Sequence, residues 1–473
     1  HMYAMLAATA GVTSVSVAGD TVDALPVMVP SEKSVFGEAH YSFTLAPTLG
    51  FDHAEATGAA LPADYELAAW APDALLGPAW PAIYAALGSA IHNDYPVIEG
   101  LLNAVHLDHS ITLEYTPEQM LERGITTIDV TSHVAAVDES SSGRIVTVAL
   151  DLKANGEHVG STQERFAIRG RATGNRAPSE AAPFGGAKVE VVDTPRSVLR
   201  RVTVKAPDDM TPFAIVSGDY NPIHTSYAAA KVAGMDAPLV HGMWLSATAQ
   251  HAAEASVAGQ GGAQIAGWTY YMYGTVDLND EVEITVERVG RVVGGGLSLE
   301  VTCRINKQVV SRASAYTFAP KVAYVYPGQG IQSAGMGLDE RTKSKAVDEV
   351  WRRADAHTRS AMGFSILAIV RDNPTEIVAR GVTYRHPEGV LNLTQFTQVA
   401  LATLAIGQTA RMREEGVLVP GAAFAGHSLG EYDALAAYAE VFPLEIVLDL
   451  VFQRGSTMHS LVPRDEKGRS NYR

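Results

Sequence analysis

Residues 217–224, which read SGDYNPIH, open the part of the sequence whose pattern decides the fold. A short helix-like segment (226–234), the segment APLVHGMW (237–244) and an Ala-rich helical run to about residue 258 follow. Four Val-, Thr- and Tyr-rich segments come next, separated by turn residues: 266–276, 281–293, 297–305 and 309–318. This order predicts a helix wrapped by an antiparallel sheet.

The preceding block looks like an older copy of this one. Four matches keep the same order along the chain: 71–73 with 206–208, 77–83 with 218–224, 96–102 with 238–244, and the strand ending at Asn155 with the strand ending at Asn306. In this alignment Pro78 and Ile83 stand where the second copy has Asp219 and His224. Only the second copy therefore has groups that can move a proton, and the first copy is expected to supply packing or a cavity for an apolar substrate.

Composition excludes several classes of protein. The chain has 473 residues, enough for about three domains, with 36 Lys and Arg against 52 Asp and Glu and a net charge of −16. A negative protein repels nucleic acid and anionic lipid, so neither is an expected partner. A single cysteine and the absence of a long apolar segment favour a cytoplasmic protein that does not span a membrane, and no metal site is expected.

Asp219 and His224 are the first candidate catalytic residues. Pro222 fixes its own backbone angle in the turn between them, so the two side chains can converge on one substrate. An imidazole suits a general base because its ordinary pKa lies near neutral pH. The alternative is that Asp219 caps a helix and His224 is an ordinary surface histidine.

The wider string, SGDYNPIH followed by PLVHGM, closely resembles the MaoC-like hydratases and dehydratases. The resemblance implies an α+β double hot-dog fold, with two copies of a long central helix wrapped by antiparallel sheet. It also implies loss of water from a 3-hydroxyacyl thioester, with His224 as the base and Asp219 as the acid. Asn221 would orient the pair, and the backbone N–H of Gly242 would stabilise the oxyanion.

After Pro320 the pattern changes to alternating strands and helices. Residues 426–430 read GHSLG between a strand-like and a helix-like segment, which is typical of a nucleophile elbow that exposes Ser428 at a helix N-terminus. A Gly-rich turn with a capping serine is the alternative.

GHSLGEY, with PGQG upstream and QRG downstream, resembles the malonyl/acyl transferases, which implies a partial α/β acyltransferase domain. The matching positions would make Ser428 the nucleophile, Leu429 and Gln329 the oxyanion donors, and Arg454 the partner of a malonyl carboxylate. The family's histidine motif lies beyond the last residue, and His459 does not match it. The chain is therefore expected to end inside this domain, which would be inactive by itself.

A dehydratase followed by an acyltransferase resembles the type I fatty acid synthases of the bacterial and fungal kind, in particular the single-chain mycobacterial enzyme. The resemblance implies substrates on the phosphopantetheine of an acyl carrier protein or CoA, including malonyl-CoA, the remaining synthase domains as partners, a homo-oligomer at full length, and neither NADPH nor FMN in this chain. The alternatives are a free-standing (R)-specific enoyl-CoA hydratase and a non-catalytic segment of a megasynthase. The expected divisions are 1–62 (role unknown), 63–169 (degenerate repeat), 170–188 (linker), 189–319 (catalytic repeat) and 320–473 (transferase).

Overall fold

The computed structural model of the chain describes residues 26, 28–31, 34–63, 70–92, 95–99, 104–140, 143–169, 189–257 and 264–463. The chain forms two compact units. The first contains residues 1–292 and 296–320, and the second contains residues 293–295 and 321–473. The expected linker, 170–188, lies outside the described residues.

One antiparallel sheet runs through the first unit. Its eleven strands within the described residues are β1 (Met28–Ser31), β2 (Ser34–Thr44), β5 (Ala104–Leu113), β6 (Thr127–Ser140), β7 (Gly143–Ala154), β8 (Glu157–Arg169), β9 (Val191–Lys205), β10 (Ile265–Met272), β11 (Glu281–Val292), β12 (Leu297–Ile305) and β13 (Gln308–Thr317). A separate short hairpin joins β3 (Ile91–His92) to β4 (Tyr95–Pro96). The sheet order is β1-β2-β6-β7-β8-β5-β10-β13-β12-β11-β9.

This order is the same five-strand pattern used twice. In the first half β2 pairs with β6, and β7, β8 and β5 follow in that order. In the second half β9 pairs with β11, and β12, β13 and β10 follow in that order. β1 is an additional edge strand beside β2. The halves join where β5 pairs antiparallel with β10, Thr269 lying opposite Ser110. We call β1–β8 and their helices the first repeat, and β9–β13 and their helices the second repeat. The double hot-dog fold is therefore confirmed.

Six helices accompany the strands in the described part of this unit: α1 (Pro47–Gly58), α2 (Leu76–Ser89), α3 (Pro117–Glu122), α4 (Thr211–Ser217), α5 (Tyr227–Val232) and α6 (Gly242–Val257). α2 packs against β2 and β6, and α6 packs against β9, β10, β11 and β12. The buried residues of α2 are mainly apolar, whereas α6 also buries polar side chains: Ser246, Thr248, Gln250, His251 and Glu254. α2 and α6 are therefore the equivalent central helices of the two repeats.

The predicted alignment of the repeats was wrong in its first part. Residues 77–83 lie in the central helix α2, so they cannot correspond to the loop 218–224, which precedes the central helix α6. The matches of 71–73 and 96–102 fail as well: 71–73 come just before α2, whereas 206–208 follow β9, and Pro96 comes after α2, whereas Gly242 begins α6. The predicted start of the first repeat at residue 63 was also too late, because β2 already pairs with β6 in its sheet.

The structure matches the repeats at another spacing. Ala46-Pro47 follows β2 as Ala206-Pro207 follows β9, and Gly58 ends α1 as Gly218 ends α4, each at a spacing of 160 residues (218 − 58). Ala59 then stands where the second repeat has Asp219. The residue matching His224 lies outside the described residues.

The downstream part of the predicted repeat is confirmed by two turns. Asn155 joins β7 to β8 with φ of 51°, and Asn306 joins β12 to β13 with φ of 50°. Asparagine tolerates this left-handed conformation better than most residues, and tight hairpins require it. Asparagine therefore occupies the left-handed position of the corresponding hairpin turn in both repeats.

The second unit has α/β architecture. Its described elements are β14 (Ala323–Tyr326), α7 (Lys345–His357), α8 (Ile366–Asp372), β15 (Glu376–Ala379), β16 (Val382–Arg385), α9 (Thr394–Glu414), β17 (Ala423–Gly426), α10 (Leu429–Asp433) and α11 (Leu444–Leu461). β14 and β17 pair in parallel, and α9 packs against α7 and α11. No helix in the described part of either unit is long and apolar enough to cross a membrane.

Candidate active site

Asp219 lies in the loop after α4 with only 5% of its surface exposed, and its carboxylate accepts three hydrogen bonds. Oδ1 accepts the backbone N–H of Asn221 at 3.0 Å and the hydroxyl of Tyr84 at 3.3 Å. Oδ2 accepts Nε2 of His241 at 2.5 Å. A buried carboxylate held by this many donors is fixed in place and kept charged.

His241, the residue directly before α6, contacts this carboxylate directly. The backbone N–H of Met243 donates to its Nδ1 at 3.1 Å, so the ring proton lies on Nε2 and points to Asp219. Phe213 also contacts His241, with ring centroids 5.2 Å apart.

His224 lies next to His241, with the two ring centroids 4.5 Å apart. Its Nδ1 lies 2.9 Å from the backbone oxygen of Leu239. A carbonyl can only accept, so Nδ1 carries the proton and Nε2 keeps its lone pair. Nε2 bonds no other group among the described residues, so it is the nitrogen that can take a proton from a substrate.

Burial lowers the pKa of His224 to about 4, assisted by the neighbouring His241 and opposed by Asp219. Burial raises the pKa of Asp219, but the adjacent His241 and His224 outweigh it and leave that pKa below its ordinary value. At neutral pH the site therefore holds a neutral imidazole and a carboxylate anion. An ionised Asp219 has no proton to deliver to a leaving hydroxyl, so these protonation states favour His224 over Asp219 as the proton donor.

Asn221 and Gly242 complete the predicted constellation. Asn221 holds the loop, since its Oδ1 accepts the backbone N–H of Ile223 at 3.3 Å while its own N–H bonds Asp219. Gly242 begins α6, and its N–H has no acceptor in the described part of the chain. A Cβ at this position would lie 2.5 Å from Sδ of Met272, so the Met272 side chain would have to move to admit one.

The first repeat holds a buried ionic network that sequence reasoning missed. His109 is fully buried between two carboxylates, with Nε2 2.8 Å from Asp73 and Nδ1 2.6 Å from Glu164. Burial lowers the pKa of His109, but the two carboxylates raise it to about 10. Burial likewise opposes ionisation of Glu164, but His109 and His106 lower its pKa to about 2.

This network also forms hydrogen bonds to α6, the central helix of the second repeat. Oδ2 of Asp73 accepts the hydroxyl of Ser246 at 2.7 Å, and its Oδ1 accepts Nε2 of Gln250 at 2.6 Å. Both residues lie on α6, which begins with Gly242. No group of three or more His, Cys, Asp or Glu side chains in the described ranges is arranged to hold a metal ion. The charges of the first repeat therefore hold α6 against the first repeat.

The second unit contains the predicted nucleophile elbow. Ser428 lies between β17 and α10 with φ of 58° and ψ of −106°, a conformation that serine rarely adopts. A Cβ on Gly426 would lie 2.0 Å from the carbonyl oxygen of Gly430, and a Cβ on Gly430 would lie 2.0 Å from that of Tyr326. The two glycines of the motif therefore permit the turn.

The described residues around Ser428 form a chain of polar contacts. Nη2 of Arg454 donates to Oγ of Ser428 at 2.9 Å, and its Nη1 donates to Oε1 of Gln398 at 2.9 Å. Nε2 of Gln398 donates to Oε1 of Gln329 at 3.1 Å. The backbone N–H of Leu429 has no acceptor among the described residues. Four predicted residues thus lie together, joined by Gln398, which the sequence did not single out.

No hydrogen bond joins His459 to Ser428 among the described residues. Arg454 is the only partner of Oγ of Ser428 in the described part of the unit. This agrees with the sequence, in which His459 did not match the position of a transferase base.

Comparison with known proteins assigns each unit. Residues 188–308 match the model of the MaoC like domain, and residues 323–473 match the model of the acyl transferase domain. The fatty acid synthase subunit beta of Saccharomyces cerevisiae is 34% identical over 306 residues, covering 56% of this chain and 15% of that protein. The fatty acid synthase beta subunit stcK of Emericella nidulans is 33% identical over 307 residues, covering 57% of this chain and 16% of that protein.

A solved MaoC-like dehydratase from Phytophthora capsici is 14% identical, covers 60% of this chain and 96% of its own, and superposes with a TM-score of 0.44. The chain spans about one sixth of the length of the curated relatives that it matches. These relatives are fungal, so they do not specifically support the expected resemblance to the mycobacterial synthase. Residues 188–308 are thus similar to MaoC-like domains and residues 323–473 to acyl transferase domains, and these curated relatives are fatty acid synthase β subunits.

Proposed function

We propose that the first unit removes water from a 3-hydroxyacyl thioester, carried on the phosphopantetheine of an acyl carrier protein, to give a trans-2-enoyl thioester. The observation that carries this proposal is the neutral His224, with Nε2 available, beside the ionised Asp219. A free-standing enoyl-CoA hydratase would use the same site in the opposite direction, and a structural segment would not use it.

The proposed reaction starts with the neutral imidazole. Nε2 of His224 takes the proton from C2, and the charge that develops on the thioester oxygen is stabilised by the N–H of Gly242 at the start of α6. The imidazolium that forms is stabilised by the nearby carboxylate of Asp219. As the C3–O bond breaks, the imidazolium returns its proton to the departing hydroxyl, which leaves as water and restores neutral His224.

Asp219 then has two tasks in this scheme. Its negative charge stabilises the imidazolium, and one carboxylate oxygen accepts the O–H of the substrate so that the leaving group faces His224. General acid–base catalysis of this kind contributes about 10²–10⁴-fold to the rate.

The test compares the wild-type chain with Asp219→Asn, a change that keeps the shape of the side chain. Hydration of crotonyl-CoA, followed by the loss of enoyl absorbance, is expected to fall about 10²–10⁴-fold in the variant, with unchanged thermal unfolding. A higher kcat/KM for 3-hydroxyacyl carrier protein than for the CoA ester would separate the synthase role from the hydratase role. If the wild-type chain were inactive with both the carrier-protein and the CoA substrates, the result would support the alternative that this unit is a non-catalytic segment.

For the second unit we propose that Ser428 carries an acyl group as an ester and that Arg454 binds the carboxylate of a malonyl group. The contact between the guanidinium and Oγ of Ser428 supports this, because a carboxylate bound at that guanidinium would lie beside the nucleophile. Malonyl-CoA would be the donor and the acyl carrier protein the acceptor.

A further inference from the structure

Tyr84 lies on α2, the central helix of the first repeat, yet its hydroxyl donates to Oδ1 of Asp219 in the second repeat. The oxygen atoms are 3.3 Å apart. The ring exposes 7% of its surface and stacks on Trp80, with centroids 5.3 Å apart and planes 21° from parallel. A stacked, buried ring holds its hydroxyl in one place at little cost in side-chain entropy.

The hydrogen bonds of Asp219 show what this hydroxyl contributes. A carboxylate oxygen has two acceptor positions. On Oδ1 both are filled, one by Tyr84 and one by the backbone N–H of Asn221. On Oδ2 one is filled by His241. The remaining acceptor position is therefore on Oδ2, the oxygen bonded to His241, whose ring centroid lies 4.5 Å from that of His224.

We propose that Tyr84 is a positioning residue of the dehydratase site: by filling Oδ1 of Asp219 from the first repeat, it directs the substrate hydroxyl to Oδ2, beside His224. This inference rests on the proposed function. It gives the repeat that lacks the acid–base residues a direct part in the chemistry of the other repeat.

The experiment compares Tyr84→Phe with Tyr270→Phe in the full chain. Both changes remove one hydroxyl from a buried ring, and the hydroxyl of Tyr270 donates to Ser311 at 2.8 Å, away from the site. In crotonyl-CoA hydration we expect Tyr84→Phe to lower kcat about 3- to 10-fold with KM within about 2-fold, because a hydrogen bond to a charged group is lost. Tyr270→Phe should keep the wild-type kcat.

A second comparison separates positioning from a general effect on folding. In an Asp219→Ala background the added Tyr84→Phe change should leave the residual rate unchanged, because the partner of the hydroxyl is already gone. An unchanged kcat in Tyr84→Phe, or the same loss with and without Asp219, would overturn the inference. If the wild-type chain is active and Asp219→Asn is not, either result refutes the role of Tyr84 alone; an inactive wild-type chain refutes the proposed function itself.

Discussion

The two repeats share one strand order but place their ionisable residues differently. In the second repeat Asp219 and His224 lie in the loop before the central helix, where Nε2 of His224 remains available. In the first repeat Ala59 replaces the aspartate, and the charged residues are instead Asp73, His109 and Glu164, buried and bonded to one another. The difference shows how a duplicated fold can keep polar residues for chemistry in one copy and for structure in the other.

The largest expected effect is the loss of the base from the second repeat. His224→Ala should lower the rate of crotonyl-CoA hydration about 10²–10⁴-fold, because no other group there has an available imidazole nitrogen facing the site. Steady-state kinetics and thermal unfolding measure the two consequences separately. His40→Ala, an exposed histidine of the first repeat, is the matched control and should match the wild-type rate. Full activity in His224→Ala would contradict the proposal that the second repeat supplies the catalytic base.

The next effect is on stability and belongs to the first repeat. His109→Leu should lower the free energy of unfolding by about 3–5 kcal/mol, because Asp73 and Glu164 would remain buried without their shared partner. Denaturant unfolding measures this loss. His158→Leu, at an exposed histidine of the same repeat, should change stability by less than about 0.5 kcal/mol.

A triple variant sharpens this prediction. Adding Asp73→Asn and Glu164→Gln to His109→Leu removes both charges, so it should recover part of the lost stability. If the triple variant were less stable than His109→Leu, the instability of His109→Leu would not come from the unpaired charges of Asp73 and Glu164.

The same network predicts a pH window for stability. The pKa of His109 is raised from 6.5 to about 10, so its contribution is complete below pH 6.5 and is lost as the pH rises through about 10. The pKa of Glu164 is lowered from 4.5 to about 2, so its contribution is complete above pH 4.5 and is lost as the pH falls through about 2. The stabilisation should be greatest between pH 4.5 and 6.5, and this dependence should be weaker in the triple variant.

The smallest expected effect concerns the start of α6. Gly242→Ala should lower kcat about 10-fold, because the added Cβ occupies the space from which the oxyanion approaches the N–H. The companion Met272→Ala removes the sulfur atom that the new Cβ would meet at 2.5 Å. If the double variant regained the wild-type kcat, displacement of the helix by Met272 would explain the loss, and the oxyanion role of Gly242 would be contradicted.

The sequence was most informative where a motif is local. GHSLG fixes the turn around Ser428 through two glycines whose neighbours leave no room for a Cβ, and SGDYNPIH fixes the loop that carries Asp219 and His224. The alternation and turns of the second repeat likewise predicted its strands. In the first repeat, short sequence matches aligned residues 77–83 with the wrong part of the second repeat. The correct spacing of 160 residues (218 − 58) rests on equally few identical residues, so the sequence could not distinguish the two alignments.

The sequence by itself predicted the two domain types, the candidate acid–base residues and the candidate nucleophile, because each prediction depends on residues close together in the chain. Tertiary structure alone decided that His241 and Tyr84 hold Asp219, since the tyrosine reaches it across 135 positions. It also decided the protonation states, because the pKa of a side chain depends on burial and on the charges around it. Those neighbours come from helices and strands of both repeats, so no single stretch of sequence specifies them.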